Sequence, residues 1–244
     1  MKKLFIYNWL PMLFAAMATF SFTACGGSDG DDTDYAALAA MQGALGGGAG
    51  NIPGIDSRAV DLGLSVKWAS CNVGATQPWE YGGYYAWGET EEKNSYSSSN
   101  YKHTKYMGPT NIIPIKYYST VDNKTTLDPE DDVAHVKWGG YWRMPTRAEQ
   151  DELRNKCTWT WTTLNGVNGF RVTGPNGNSI FLPAAGSRRS NGTYYTGSNG
   201  VYQSSSLYGN GSYCYVLAIA DIYRKAWCDS HYRHEGLSVR PVCP

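Results

Sequence analysis

Apolar and polar residues alternate with the period of a half-buried β-strand in two separate segments of the chain. In residues 61–69 the apolar positions are Leu62, Leu64, Val66 and Trp68. In residues 236–241 they are Leu237, Val239 and Pro241. The two segments begin and end the patterned region, so we predict that they pair as entering and leaving strands. An antiparallel pairing would place Cys71 and Cys243 at opposite ends of the ladder, too far apart for a disulfide.

Two short helices are predicted from their start signals. Asp128 precedes Pro129 and further acids, which is the order of an N-cap, a first helical proline and a first turn favoured by the helix dipole. A calcium site is the alternative interpretation of these acids, but they lack the spacing and the glycine bend of an EF-hand loop. The second helix begins at Thr146, which forms a capping box with Glu149, and runs to Cys157.

Further short strands are predicted after the second helix. Segments 169–173 and 179–182 flank the turn-rich sequence GPNGN, and their inward-facing candidates are Phe170, Val172, Ile180 and Leu182. Many short strands, two short helices and long irregular loops together indicate an α+β domain. Seven tryptophans are interpreted as its core and loop anchors: Trp68, Trp79, Trp87, Trp138, Trp142, Trp159 and Trp161.

The region from residue 190 to residue 235 has the composition of a recognition surface. Residues 190–213 are almost entirely Tyr, Ser, Gly and Asn, as in evolved binding loops. Residues 213–220 have the alternating pattern of a strand, and we expect one face in the core and the other exposed. One face consists of Tyr215, Leu217 and Ile219, and the other of Cys214, Val216, Ala218 and Ala220. Residues 223–235 (YRKAWCDSHYRHE) show no helical or strand period and are expected to form a binding loop.

Ligand contacts are expected throughout residues 208–235. We predict Tyr223 and Trp227 as aromatic anchors, with Arg224, Lys225 and Arg233 making directional contacts. The full set of predicted ligand-binding residues is Tyr208, Tyr213, Val216, Ala218, Ala220, Tyr223, Arg224, Lys225, Trp227, Asp229, His231, Arg233 and His234. The alternative is a metal site in which His231 and His234 form a ligand pair and an acid completes the set, although the sequence does not determine which acid. The candidate acids are Asp221, Asp229 and Glu235. The serine run at 204–206 lacks a hydrolase elbow, so we predict no catalytic constellation, no bound metal and no cofactor.

The N-terminus carries an export signal. Two lysines precede an apolar stretch that ends in Phe-Thr-Ala-Cys, so residues 1–24 resemble a bacterial lipoprotein signal peptide with Cys25 as the lipidated residue. A plain signal peptide or a membrane-spanning anchor is the alternative. Residues 25–55 are interpreted as a flexible surface tether, which leaves residues 56–244 as one domain. We expect the protein at the cell outer membrane, held by its lipid alone and exposed at the surface.

Charge and cysteine content narrow the possible partners and crosslinks. The chain has 21 basic and 21 acidic residues and no basic stripe, so a nucleic-acid partner is not expected. Six cysteines less Cys25 leave five, an odd number that cannot all pair and that shows no zinc-binding spacing. The candidate disulfide joins Cys214 to Cys228, which a hairpin turning near Asp221 would set opposite each other.

Five sequence strings occur in order along the domain: VDLGLSVKWASCNVGA, YYAWGE, WGGYWRMPTRAEQDEL, FLPAAG and GLSVRPVCP. In this order they resemble the Fibrobacter succinogenes major paralogous domain, which is common in lipoproteins of Bacteroidetes. The resemblance covers residues 56–244 and implies a C-type-lectin-like fold, with paired terminal strands, two short helices and long loops that carry the binding surface. Gln203 stands where the family usually has tryptophan, and the calcium motifs of typical lectins are absent.

The resemblance extends to two more specialised groups. Related domains include the variable proteins of diversity-generating retroelements; the residues compatible with such diversification are Tyr208, Asn210, Tyr213, Val216, Ala218, Ala220, Tyr223, Asp229, Ser230 and His231. The fold is shared with formylglycine-generating enzymes, which use two reactive thiols and copper, and only Cys214 and Cys228 are candidates for that pair. We expect a non-enzymatic surface lipoprotein, an adhesin or receptor, that binds a protein or glycan ligand. A formylglycine-generating-type oxidase and a structural subunit of a surface appendage are the alternatives.

Overall fold

The computed structural model describes residues 57–108 and 111–244. The predicted signal peptide, the predicted lipidation site Cys25 and the predicted tether lie outside the described residues. Among the helices within them, none has the length and apolarity to cross a membrane.

Most regular structure in the described residues is β-sheet. In chain order the strands are β1 Ala59–Val60, β2 Lys67–Ala69, β3 Thr104–Tyr106, β4 Ile112–Pro114, β5 Thr158–Leu164, β6 Val167–Thr173, β7 Ser179–Pro183, β8 Ser187–Arg189, β9 Gly192–Tyr194, β10 Asn199–Tyr208, β11 Tyr213–Ala220, β12 Lys225–Tyr232 and β13 Val242–Cys243. The helices are α1 Val133–Trp138 and α2 Arg147–Lys156, and single 3-10 turns cover Ser98–Asn100 and Pro129–Asp131. The predicted α+β class is confirmed.

The entering and leaving segments pair as predicted. β13 lies antiparallel to β2, with Val242 opposite Trp68, and β1 lines the other side of β2. The ladder places Cys243 opposite Lys67, at the end remote from Cys71. Only residues 67–69 of the predicted first strand are hydrogen-bonded as a strand, but the alternation holds before them, because Leu62 is fully buried between exposed neighbours.

The start of α2 follows the predicted capping box. The Thr146 hydroxyl accepts a hydrogen bond from the Glu149 amide at 3.3 Å, and the Glu149 carboxylate accepts one from the Thr146 amide at 2.7 Å. Inside the helix, the Gln150 side chain donates to the Tyr202 carbonyl at 2.9 Å. This bond ties α2 to β10, the first strand of the C-terminal sheet.

The first helix begins later than predicted. Pro129–Asp131 form a 3-10 turn, and the Asp128 side chain makes no capping hydrogen bond. The N-cap of α1 is Asp132, whose Oδ1 accepts from the amides of Ala134 at 2.9 Å and His135 at 3.1 Å. Asp128 does not cap because its carboxylate is held by lysines.

Three acids lie close enough together to hold an ion, as the calcium alternative requires. The group is Asp128, Glu130 and Asp131, with ligand oxygens within 4.8 Å of one another. The Lys116 ammonium lies 2.6 Å from Asp128, 3.3 Å from Glu130 and 2.7 Å from Asp131. A lysine thus neutralises the centre of the cluster, and these acids form an ion-pair network.

Replacing Asp131 with asparagine should remove part of the acid sensitivity of the fold. Burial raises the pKa of this carboxyl, but hydrogen bonds from Lys102, Lys116 and Tyr117 outweigh it and lower the pKa to about 2. A depressed pKa stabilises the folded state above the unfolded pKa near 4, and this contribution is lost as pH falls toward 2. The free energies of unfolding of the wild type and the variant, measured in urea, should therefore converge as the pH falls from about 5 to about 2. The exposed Glu130→Gln is the matched control, and a wild-type advantage that persists undiminished at the lowest pH would contradict the assignment.

The sheet of β5, β6 and β7 is a meander whose inner face was predicted. β6 and β7 pair antiparallel around the turn at 174–178. Phe170, Val172, Ile180 and Leu182 are all buried. Of the seven predicted anchors, Trp68, Trp87 and Trp142 are buried and the other four are half-buried.

The sheet of β10, β11 and β12 separates two hydrophobic cores. Cys214 and Val216 of β11 belong to one core, with Trp87. Leu217 and Ile219 belong to the other. The prediction that β11 exposes one face is therefore wrong: the strand is central in its sheet, and each face packs against a separate set of apolar residues.

Two segments predicted as loops are strands. Much of the Tyr/Ser/Gly/Asn run lies in β9 and β10, and residues 202–205 are buried. The Ser204 hydroxyl donates to the Tyr215 carbonyl at 2.9 Å, so polar side chains satisfy the interior of this sheet. The aperiodic segment 223–235 contains β12, an edge strand of mixed burial that has no simple two-residue period.

Candidate functional site

Within residues 208–235, where ligand contacts were predicted, the most exposed apolar side chains lie in the turn between β11 and β12. Ile222 is 81% exposed and Tyr223 is 63% exposed. The turn closes through a hydrogen bond from the Arg224 amide to the Asp221 carbonyl at 3.0 Å, and Arg224 adopts a positive φ of 47°. Arg224 Nε also lies 2.9 Å from Asp221 Oδ1. We call residues 221–227 the hairpin tip.

The rings of the hairpin tip lie close together and border a shallow cavity. The centroids of Tyr223 and Trp227 are 5.8 Å apart with nearly perpendicular planes. The Trp227 indole N–H donates to Asp229 at 3.2 Å, and the Arg224 guanidinium lies 5.6 Å from the ring of Trp161. The cavity, of about 340 Å³, is lined by Tyr223, Lys225, Ala226 and Trp227. Trp, Tyr and Arg side chains of this kind are the residues most enriched in binding hot spots.

Four tyrosines form a second aromatic surface at the other end of the same hairpin. The strand register sets Tyr213 directly opposite both Tyr208 and Tyr232. The ring centroids of Tyr213 and Tyr232 are 4.6 Å apart, and those of Tyr208 and Tyr215 are 4.9 Å apart. Arg147 of α2 places its guanidinium 4.6 Å from the Tyr215 ring. We call Tyr208, Tyr213, Tyr215 and Tyr232 the tyrosine platform.

The hairpin tip and the tyrosine platform are separate surfaces. They lie at opposite ends of β11, and eight residues at about 3.3 Å each separate its ends by roughly 23 Å. Between them, Val216 and Ala220 are fully inaccessible and Ala218 is 8% exposed. The prediction that Val216, Ala218 and Ala220 contact a ligand is wrong, because both faces of β11 are covered.

Arg233 points inward. It is 1% exposed, so the prediction that it reaches a ligand from the outer surface is wrong. Its Nε donates to the Tyr101 hydroxyl at 2.8 Å. Its Nη1 donates to the carbonyls of Tyr117 and Gly211, at 2.8 Å and 2.5 Å, and its Nη2 to the Lys116 carbonyl at 3.3 Å. The guanidinium thereby ties the end of β12 to two neighbouring loops.

The two predicted histidines have different surroundings. His231 Nδ1 lies 3.0 Å from Glu235 Oε2, which Arg189 Nε also approaches at 3.1 Å. Burial raises the pKa of Glu235, but His231 and Arg189 outweigh it and hold the pKa below its usual value. His234 packs against Tyr232, with ring centroids 5.3 Å apart, and burial lowers its pKa. No group of described residues combines these histidines with acids within reach of one ion.

Cys214 and Cys228 do not form the candidate disulfide. Both are free thiols. The turn falls near Asp221 as predicted, but the register places Cys214 opposite His231 and Cys228 opposite Leu217, so the two thiols lie on opposite faces of the sheet. Burial raises the pKa of Cys214 to about 12 and that of Cys228 to about 11. These thiols therefore lack both the proximity and the acidity of a reactive pair.

Sequence reasoning missed several residues of both surfaces. Ile222 was available as a signal, because an apolar residue in a short turn between strands must be exposed. Tyr215 lies on the face of β11 opposite the predicted ligand-binding residues Val216 and Ala218, and Tyr232 follows only from the register that pairs it with Tyr213. Arg147 has no sequence signal, since it reaches Tyr215 from a helix some 70 positions earlier, a long-range contact that only the fold creates. Lys225 lies within the hairpin tip and Asp229 follows it, and both side chains are exposed.

Comparison with known proteins adds no relative to this picture: no family model, no curated protein and no solved structure matches the chain.

Proposed function

We propose that the chain is a surface lipoprotein of the Fibrobacter succinogenes major paralogous type, with a C-type-lectin-like domain that binds a protein ligand through the hairpin tip. The observation that carries this proposal is the exposure of Ile222 and Tyr223 beside the half-buried Trp227. Contiguous exposed apolar groups with a charged rim are typical of protein interaction sites. Arg224 and Lys225 supply that rim.

The scaffold beneath the hairpin tip suits recognition. β11 is held from both faces by apolar cores, so the turn that it carries has a fixed position. Binding residues on a short turn of a rigid sheet lose little conformational freedom when a ligand binds. This arrangement favours a preformed binding surface.

The wider architecture also supports the lectin-like interpretation. The terminal strands β2 and β13 pair, two short helices lie between β4 and β5 in the chain, and residues 70–103 contain long irregular stretches. The resemblance implies these three features. The lipid at Cys25 and the following tether would display the domain at the outer membrane.

The test is a cell-binding assay with tip variants. Fluorescently labelled protein is incubated with bacterial cells and with cultured epithelial cells, before and after protease or glycosidase treatment. Tyr223→Ala and Trp227→Ala should each weaken binding by about tenfold or more, as expected for hot-spot anchors worth roughly 2 kcal/mol. Binding should disappear after protease treatment and survive glycosidase treatment.

A matched control tests whether the loss of any exposed tyrosine would weaken binding. Tyr195 is 65% exposed, almost the same as Tyr223, and lies in a different turn, so Tyr195→Ala should bind like wild type. Binding that both tip variants retain, with unchanged circular dichroism, would remove the hairpin tip from the site. Loss of binding after glycosidase treatment alone would rule out a protein ligand.

A further inference from the structure

The outer edge of β5 carries backbone groups that no other strand pairs with. In its sheet β5 pairs only with β6. The Asn168 carbonyl of β6 accepts a hydrogen bond from the Ala184 amide on the β7 side, so Asn168 and the opposite Thr163 share no backbone hydrogen bond. The alternation of an antiparallel ladder then directs the amides and carbonyls of Trp159, Trp161 and Thr163 to the open edge. Among the described residues, none of these groups has a hydrogen-bond partner.

This edge lacks the features that protect sheet edges from other strands, which are charged side chains, prolines and bulges. The sequence of β5, TWTWTTL, contains neither a charge nor a proline, and its ladder with β6 runs without a bulge. The other edge of the sheet is covered, because Arg240 donates to the Phe181 carbonyl of β7 at 2.8 Å. The Tyr202 hydroxyl likewise donates to the Pro183 carbonyl at 2.5 Å. In the neighbouring sheet, the edge strand β12 begins with the charged Lys225.

The side chains of β5 fix the strand and leave its edge accessible. The rings of Trp159 and Trp161 pack against Phe170 on the core face, with centroids 5.6 Å and 5.0 Å apart. Thr158 and Thr160 on the other face are exposed. A strand that is already fixed loses little conformational freedom when another strand adds to its edge. The open groups of β5 therefore form a preformed site for an extended backbone.

The sequence of β5 is compatible with pairing to a second copy of itself. A two-fold axis at Trp161 would set the outward groups of Trp159 against those of Thr163 in the second copy, and Trp161 against its equivalent. Thr160 would lie opposite Thr162 of the second copy. No like charges would meet, because β5 has no charged residue. This pairing would give every outward amide and carbonyl a partner and join the two sheets into one.

We propose that the chain forms a two-fold symmetric dimer through antiparallel pairing of β5 with β5 of a second copy, with the axis at Trp161. A two-fold contact uses the open edge of both copies and closes the assembly, whereas a head-to-tail contact would leave an edge free for further addition. The dimer is independent of the protein ligand proposed for the hairpin tip.

Sedimentation equilibrium of the full chain in density-matched detergent tests the proposal. The measured mass should rise from that of one chain to that of two between about 1 and 100 micromolar. Thr160→Glu/Thr162→Glu should raise the dissociation constant of the dimer by about tenfold or more, because like charges would lie directly opposite each other. Thr160→Glu/Thr162→Lys is the matched control. It should associate like wild type, because each glutamate then faces a lysine.

Cysteine cross-linking tests the register of the pairing. A mixture of the Thr160→Cys and Thr162→Cys chains should form a disulfide-linked dimer under mild oxidation, because the two positions lie directly opposite each other at about 4.5 to 5.5 Å. Either variant alone should cross-link little. Its two cysteines would lie on a diagonal of about 7 to 8 Å, which is beyond the reach of a disulfide.

Several results would overturn the proposal. They are a wild-type chain that stays monomeric up to about 100 micromolar, assemblies larger than a dimer, or a folded double-glutamate variant that associates like wild type. If circular dichroism shows that this variant does not fold, the cysteine mixture decides the result. Cross-linking of either cysteine variant alone as efficiently as the mixture would overturn the register. Tyr223→Ala should leave the dimer unchanged, which separates this interface from the hairpin tip.

Discussion

Replacing Arg240 with lysine is expected to lower the free energy of unfolding by about 3 kcal/mol. Arg240 is 1% exposed, and its guanidinium donates to four acceptors at 2.8–3.0 Å: Asn72 Oδ1 and the carbonyls of Ala69, Ser70 and Phe181. Lysine keeps the charge but lacks the planar fork that reaches all four acceptors. Each buried acceptor left without a donor costs about 1 to 3 kcal/mol.

Urea unfolding followed by tryptophan fluorescence measures this effect. Arg224→Lys is the matched control, because the Arg224 side chain is 63% exposed and its ion pair with Asp221 lies at the surface. That control should change the unfolding free energy by less than about 0.5 kcal/mol. A loss of similar size in both variants would mean that the Arg240 bonds contribute little.

Replacing Gly186 with alanine is expected to cost about 3 kcal/mol or more, for two separate reasons. Gly186 has a φ of +69°, a conformation that alanine adopts with strain. A Cβ at this position would also lie 2.1 Å from the Tyr194 carbonyl oxygen, which is backbone and cannot rotate away. The Gly186 amide donates to the Asn199 carbonyl at 2.7 Å, so the two segments cannot simply move apart.

The Gly197→Ala variant measures the backbone strain of a positive φ without a steric clash. Gly197 lies nearby with a φ of +82°, and no atom lies within 4 Å of its added Cβ. Gly197→Ala should therefore cost only about 1 kcal/mol, the strain alone. Thermal and urea unfolding of the two variants should differ by about 2 kcal/mol; equal losses would show that the chain near Tyr194 adjusts freely.

Features governed by neighbouring residues were predictable from the sequence. The capping box at Thr146 and Glu149 depends on atoms three residues apart, and it formed as expected. The inward positions of β6 and β7 follow from a period of two, which any strand covered on one face must obey. The pairing of β2 with β13 was predicted from two alternating segments that begin and end the domain.

Features governed by the position of a strand in its sheet were not predictable. β11 alternates like a half-buried strand, yet Cys214 and Val216 are covered by a second core that comes from distant segments. β12 has no period because it lies at a sheet edge, where both faces are half-covered. The predicted Cys214 to Cys228 pairing failed for a related reason, since a hairpin turn alone does not specify which residues face each other.

In the candidate site, too, some residues could be predicted from the local sequence and others depend on the fold. Composition identified Tyr223 and Trp227, because their residue types are typical of binding surfaces in any fold. The inward hydrogen bonds of Arg233 depend on Tyr101 and Tyr117, which are more than 100 positions away in the sequence. No local pattern connects residues so far apart, so only the folded chain shows that they meet.

Gln203, which stands where the resembled family usually has tryptophan, has a structural role. Gln203 is buried, and its Nε2 donates to the carbonyls of Tyr85 at 2.9 Å and Leu237 at 3.3 Å. It therefore connects two of the strings on which the resemblance depends, the one that contains Tyr85 and the one that contains Leu237.

The chain enters the described fold through β1 and leaves it through β13, and both strands flank β2. Val60 and Val242 lie opposite the same residue, Trp68, so two interstrand spacings, about 10 Å, separate them. A short peptide could join the two ends, and the chain could be opened instead in the exposed turn between β10 and β11. Such a circularly permuted protein would retain every β-ladder, which means that the fold itself does not dictate which terminus carries an anchor.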